Sequence, residues 1–246
     1  MSMTERSISS ASAPGATSEA PPTQRPLGGF SEEWVLKRAR QQYTDGQARM
    51  DIEPGRTALL VIDMIDEFVK PNWSPYWVPD ATRQVPTIRR VVDAFHDAEL
   101  PVIFLAYEVG VQGRNFPITE TLVPIGEDVA TYATSILQEV AIFDDLAPQD
   151  RDLVVLKHCY SGFHGTELDL VVRGLDISTL VISGTMTNFC CGATAREAFW
   201  HGYKVVFGSD INSTDDPQLH DAELQTLRRG YARIMNSDEI IDALVR

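Results

Sequence analysis

The stretch that decides the fold is Thr179 to Asp210, TLVISGTMTNFCCGATAREAFWHGYKVVFGSD. It begins with an apolar run, passes through a Gly/Thr-rich turn, continues with helical spacing and closes on a second apolar run. The same alternation extends outward in both directions. TALLVID (Thr57–Asp63), PVIFLAY (Pro101–Tyr107) and DLVVLK (Asp152–Lys157) read as further strands. Between and after them, TIRRVVDAFHDAEL, TELDLVVRGL and DAELQTLRRGYA carry helical spacing, and ARIMNSDEI reads as a sixth, short strand before a last helix. The runs are continuously apolar rather than alternating, as expected of parallel strands covered on both faces. The expected fold is therefore α/β, a three-layer α/β/α Rossmann-like arrangement with right-handed crossovers.

Ahead of this core, residues 1–29 are rich in Ser, Ala and Pro and poor in aromatic and β-branched residues, the composition of a disordered tail. Residues 30–50 read as a helical extension: Ser31 is an N-cap candidate before EEWVLKRARQQY, and Gly46 is a stop signal. Residues 51–246 form the expected core domain.

Composition removes several function classes. The chain has 246 residues and a formal net charge of −14, so phosphate-bearing partners such as nucleic acid or an anionic membrane are disfavoured. No apolar run approaches the roughly 20 residues that span a bilayer, and the N-terminus lacks the apolar stretch of a secretory signal. Cytoplasm is the expected location. Three cysteines in a chain of this length suit free thiols in a reducing compartment. The five histidines form neither HxH nor HExxH, no CxxC is present, and no GxGxxG or GxxxxGK[ST] follows any strand. Neither a metal nor a cofactor is expected.

In open parallel sheets ligands bind beyond the carboxyl ends of the strands, so the residues closing each run are the informative ones. They are Asp63, Tyr107 with Glu108, Lys157, the turn from Gly184 to Cys190, and Asp210. Among them Asp63, Lys157 and Cys190 supply an acid, a base and a thiol on one edge of the sheet. A helix start and a nearby ammonium would favour the Cys190 thiolate, and Asp63 would carry a proton from thiol to leaving amine. Each has an ordinary alternative: a turn-forming aspartate, a solvated lysine, a cysteine packed as a small hydrophobe.

TALLVIDMIDEF, VVLKHCYSGFHGTELDLVVRGLDISTLVISG and GTMTNFCCGATAREAFWHGYKVVFGSD together resemble the isochorismatase-like cysteine hydrolases, from about Thr57 to the C-terminus. The resemblance implies a six-stranded parallel sheet, a catalytic set of Asp63, Lys157 and Cys190, and a cis peptide between Thr185 and Met186. That bond would turn the Met186 N–H toward the substrate, where with the Cys190 N–H it would form an oxyanion hole. Two departures matter. Ile65 stands where the family often has glutamine, and the Asp-x-His…His metal set of the nicotinamidase branch is missing after PVIFLAYEVGVQ.

The resemblance further implies that a cysteine at 190 favours acyl chemistry, since true isochorismatases cleave a vinyl ether without a nucleophilic cysteine. Tyr160, Phe163 and Phe68 are candidates to wall a small pocket, and Asn188 is a candidate donor to a carbonyl; ordinary loop packing is the alternative for all four. Trp73, Tyr76 and Trp77 stand on the loop after the first strand and either cover the site or face a neighbouring subunit. The expected substrate is a small ureido or carbamoyl amide, and the expected assembly is a homo-oligomer, dimer or tetramer. Vinyl-ether hydrolysis and a non-catalytic interaction module are the two other readings. Of the adjacent cysteines only one can face the pocket, because consecutive helical residues point about 100° apart; Cys191 is expected to turn inward.

Overall fold

A computed structural model of the chain describes residues 29–45, 48, 50, 52–108 and 141–245. The expected tail at 1–29 falls almost wholly outside the described residues, as does the part of the nicotinamidase comparison that lies beyond Glu108. By contact density the chain divides into Met1–Arg38 and Ala39–Arg246. Ser31 Oγ accepts from the Trp34 N–H at 3.2 Å, as its N-cap reading requires, at the start of the helix Glu32–Asp45. The Phe30 and Trp34 rings stack at 4.7 Å with the Arg38 guanidinium over Trp34.

The second unit is built on six parallel strands: β1 (Thr57–Ile62), β2 (Val102–Tyr107), β3 (Leu153–Lys157), β4 (Thr179–Thr185), β5 (Lys204–Ser213) and β6 (Arg233–Met235). Their spatial order is β3-β2-β1-β4-β5-β6. The chain thus winds outward from β1 through β2 to β3, then returns to β4 on the other side of β1 and winds outward again. The crevice at the β1/β4 junction is the topological switch point where doubly wound sheets bind ligands.

The apolar runs are continuous because both faces are covered. Along β1, Ala58, Leu60 and Ile62 join one buried cluster with residues of the helices Leu168–Gly174 and Gly192–Trp200. Leu59 and Val61 join the opposite cluster with residues of Pro79–Asp97 and Ser237–Leu244. β3 departs from the expectation of two covered faces: Val155 and Lys157 are buried, whereas Leu153, Val154 and Leu156 are exposed, as an outer strand permits. No helix among the described residues is long and apolar enough to cross a membrane.

β5 runs three residues past the end read from sequence, and this corrects Asp210 as a strand-closing site residue. The pairing of β4 with β5 slips between Ile182 and Gly184, and Asn212 Nδ2 bridges the irregularity by donating to Ile182 O and Gly208 O at 2.8 and 2.7 Å. Asp210 instead accepts from the Ser237 N–H and hydroxyl at 2.7 and 2.6 Å, fastening the last helix.

Candidate active site

β1 delivers Asp63 to the switch point. The residue adopts φ 50°, a left-handed conformation that Asp tolerates better than β-branched residues, while its N–H still donates to Leu105 O of β2 at 2.8 Å. The turn that follows is pinned by the segment before β3: Asp66 N–H donates to Ala141 O, Phe143 N–H donates to Met64 O, and Ile65 bridges Ile142. Ile65 is buried there, so the position where the family often carries glutamine is a packing position in this chain.

β3 delivers Lys157, whose side chain is fully buried and reaches across the end of β2. Its ammonium meets Asp63 Oδ2 at 2.7 Å, Cys190 Sγ at 3.4 Å and Cys159 O at 3.1 Å, with the Tyr107 ring centroid 5.2 Å away. β4 delivers the third member. After Gly184 and the cis peptide Thr185–Met186, the chain makes one widened helical turn, Thr187–Cys191, with Cys191 N–H donating to Met186 O at 3.2 Å. It then runs into the helix Gly192–Trp200. Gly184 has φ 122°, and a Cβ there would collide with the backbone of Ile62, so only glycine lets β4 pass β1 at this point.

The three expected catalytic residues therefore meet. Cys190 and Cys191 separate as the helix argument requires in one respect, since only Cys190 contacts Lys157; both are nonetheless buried, Cys191 completely. Asn188 lies in the same turn, with Oδ1 accepting from the Thr214 hydroxyl at 2.7 Å, which leaves its amide N–H groups directed elsewhere. Tyr160 packs against the exposed Phe189 ring at 5.4 Å, and burial followed by the neighbouring Cys190 raises its phenol, so this pair borders the thiol. Phe163 is buried between His201 and Tyr203, at 5.1 and 5.9 Å, in the same core cluster as Cys190. Phe68 packs with the other core cluster, on the Met186 side of the sheet. On the Trp73/Tyr76/Trp77 loop, Trp77 donates to the Thr82 hydroxyl at 2.8 Å and Lys70 lies over Trp73.

Electrostatics corrects one expectation. Burial by itself opposes the Lys157 charge, but Asp63 and then Cys190 reverse this and hold the ammonium well above its ordinary range. Burial, helped by the Asp63 charge, pushes the Cys190 thiol well up, and Lys157 opposes this only in part. The lysine is already committed to Asp63, so its field at sulfur is that of half an ion pair rather than a free cation. Burial and the Asp63 carboxylate thus favour the thiol of Cys190, against the thiolate expected from helix start and lysine alone. Asp63 Oδ1, buried without a hydrogen-bond partner among the described residues, is the acceptor to which that proton can move.

Sequence reasoning missed the supports behind the nucleophile turn. His220 receives Thr187 Oγ1 at Nδ1 (2.9 Å) and approaches Ser209 O through Nε2 (3.2 Å). A carbonyl only accepts, so Nε2 carries the hydrogen and Nδ1 accepts from the threonine hydroxyl. One turn further along the helix Pro217–Gly230, Glu223 forms a two-pronged pair with Arg196 and abuts Gly192 so closely that a Cβ at 192 would strike its carboxylate. The spacing of His220 and Glu223, on one helix face, was the only sequence signal of this cradle. Glu67, which feels the charge of Asp63, was likewise missed, whereas Tyr107, read as a strand-closing residue, lies beside Lys157.

A doubly wound parallel sheet presenting a buried thiol, a carboxylate and an ammonium at its switch point defines a cysteine hydrolase of the α/β class. Residues 57–239 match the isochorismatase domain, and the chain belongs to the isochorismatase family. Over 209 residues it is 25% identical to ureidoacrylate amidohydrolase RutB of Acinetobacter baylyi, spanning 78% of this chain and 85% of that protein. A 94-residue stretch is 36% identical to Nicotinamidase 3 of Arabidopsis thaliana, spanning 38% of this chain and only 48% of that one. Among solved structures, a cysteine hydrolase from Pseudomonas syringae pv. phaseolicola superposes with a TM-score of 0.72 at 30% identity, covering 81% of this chain and 97% of the other. N-carbamoylsarcosine amidase from Thermoplasma acidophilum gives 0.60 at 28% identity, covering 75% and 98%.

Proposed function

We propose that the chain hydrolyses a C–N bond of a small ureido or carbamoyl compound through a Cys190 thioester. The observation that carries this reading is the contact of Lys157 with both Asp63 and Cys190, at 2.7 and 3.4 Å, inside the switch-point crevice. As Cys190 Sγ attacks the carbonyl carbon, its proton passes to Asp63. The tetrahedral oxyanion is received by the N–H groups of Met186 and Cys190. Asp63 then protonates the departing nitrogen, the C–N bond breaks, and ammonia or an amine leaves behind the thioester. Water attacks that thioester, gives its proton to Asp63, and the C–S bond breaks; the proton returns to sulfur as thiol. Lys157, in contact with both Asp63 and Cys190, holds the carboxylate in place beside the sulfur. The similarity to ureidoacrylate amidohydrolase and N-carbamoylsarcosine amidase supports a ureido or carbamoyl group as the substrate class.

The test is ammonia release from a panel of ureides, with Cys190→Ala as control. Release from at least one ureide by the native chain and none by Cys190→Ala is the expected result. Activity on a vinyl ether that survives Cys190→Ala would replace this reading with the isochorismatase reaction. Nicotinamide belongs in the panel, because one relative is a nicotinamidase.

A further inference from the structure

Glu67 is a carboxylate that the proposed cycle does not use. It stands four residues after Asp63, on the short helix Asp66–Val69, with only 9% of its surface exposed. Among the described residues it makes neither an ion pair nor a hydrogen bond. It follows directly on the end of β1 that carries Asp63 to the switch point. Its charge is felt by Tyr107, whose ring lies 5.2 Å from the Lys157 ammonium, and by Tyr76 on the loop after β1. The charged and titratable groups facing it are Asp63 from the end of β1, Tyr76 from that loop, Tyr107 from β2 and, behind Tyr107, Lys157 from β3. The one cation in this set is already paired with Asp63. Burial, with the Asp63 charge adding to it, pushes the Glu67 carboxyl up to about 7.

A covered carboxyl without an internal partner is costly unless something satisfies it, and a bound molecule with N–H groups is the natural complement. A ureido group carries several such donors. A second carboxylate brought alongside would instead face two acids, Glu67 and Asp63, while Lys157, the cation among the described groups around them, is already paired with Asp63.

Building on the amidohydrolase reading, we propose that Glu67 is the specificity residue of the site: it accepts the N–H groups of the substrate and rejects carboxylate-bearing analogues, so that the substrate is an uncharged ureide. This narrows the substrate class by charge, and it assigns a role to a residue that touches substrate without entering the bond-breaking steps.

The experiment compares biuret, N-carbamoylglycine and the methyl ester of N-carbamoylglycine, the last two sharing a skeleton and differing in charge. Ammonia release is followed from pH 6 to 9 for the native chain, Glu67→Gln and Glu67→Asp, with Cys190→Ala as the blank and thermal unfolding as the check on folding. The native chain is expected to favour biuret and the ester over the acid, increasingly so as pH rises through about 7 and Glu67 ionises. Glu67→Gln should lower kcat/KM on the uncharged compounds about ten- to a hundredfold, mainly through KM, and flatten the pH dependence of the ester-to-acid ratio. Glu67→Asp should keep the order of preference. Cys190-dependent release with a ratio unaltered in Glu67→Gln, or a native preference for the acid, overturns the role of Glu67 and leaves the amidohydrolase reading standing. No Cys190-dependent ammonia from any ureide overturns both.

Discussion

Lys157 and Asp63 are each fully buried, and their ion pair offers the sharpest test of how the site is held. At 2.7 Å, with an effective dielectric of about 20, Coulomb's law gives about 6 kcal/mol of attraction. Desolvation of two ions opposes this by several kcal/mol each, so the intact pair contributes little net stability. Removing one partner is a different matter, because the attraction vanishes while the desolvation of the survivor remains. Lys157→Met and Asp63→Asn, taken singly, should each destabilise the fold by about 3 to 5 kcal/mol. For a domain of this size that corresponds to roughly 6 to 20 °C in Tm. The double variant should recover a large part of the loss, since neither charge is then left alone in the core. Thermal and urea unfolding of the four proteins closes the cycle, and the coupling energy is the sum of the single losses minus the double loss. All three variants should be inactive, so the readout is stability and not turnover. A coupling energy near zero, or single variants within about 0.5 kcal/mol of the native chain, would refute the buried pair and with it the assignment of Lys157 as the group that holds Asp63 in place.

Three other outcomes follow from the geometry. Cys191→Ala should keep most of the activity at a stability cost of about 1 kcal/mol for a small cavity, whereas Cys190→Ala should lose ammonia release entirely; the reverse pattern would shift the nucleophile by one residue. Because burial raises the Glu67 carboxyl from 4.5 to about 7, the folded chain binds that proton more tightly than the unfolded one. The associated stability is complete below about 4.5 and lost as pH rises through about 7, so Glu67→Gln should gain up to about 3 kcal/mol over the native chain at pH 8 and little at pH 4.5, read by urea unfolding. His220→Ala should slow iodoacetamide alkylation of Cys190 and lower kcat while leaving KM and Tm nearly unchanged, because it releases Thr187 in the nucleophile turn; unchanged alkylation and kcat would reduce the Thr187 contact to packing.

What the sequence revealed and what it hid divide along a physical line. Asp63, Lys157 and the Cys190 turn were legible because parallel strands end at a common rim, and a polar residue closing an apolar run must therefore arrive there. The order of the strands was not legible from the runs themselves. The arrangement β3-β2-β1-β4 brings the ends of β1 and β4 together and sets Lys157 two strands from β1, across the end of β2. Resting protonation was hidden for a related reason: a lysine near a cysteine suggests a thiolate until the lysine is found already paired, which is a fact about distances. Asp210 was misread because the β5 irregularity is a tertiary feature held by Asn212, and the ring partners of Phe163, His201 and Tyr203, were hidden because they lie about forty residues away in sequence. The helix that buttresses the nucleophile turn follows the same rule. His220 and Glu223 meet Thr187 and Arg196 across some thirty residues, so no local pattern around Cys190 could announce them. Residues that chemistry places at strand ends can be read from one dimension; those that set protonation, selectivity and alignment depend on which of those ends become neighbours.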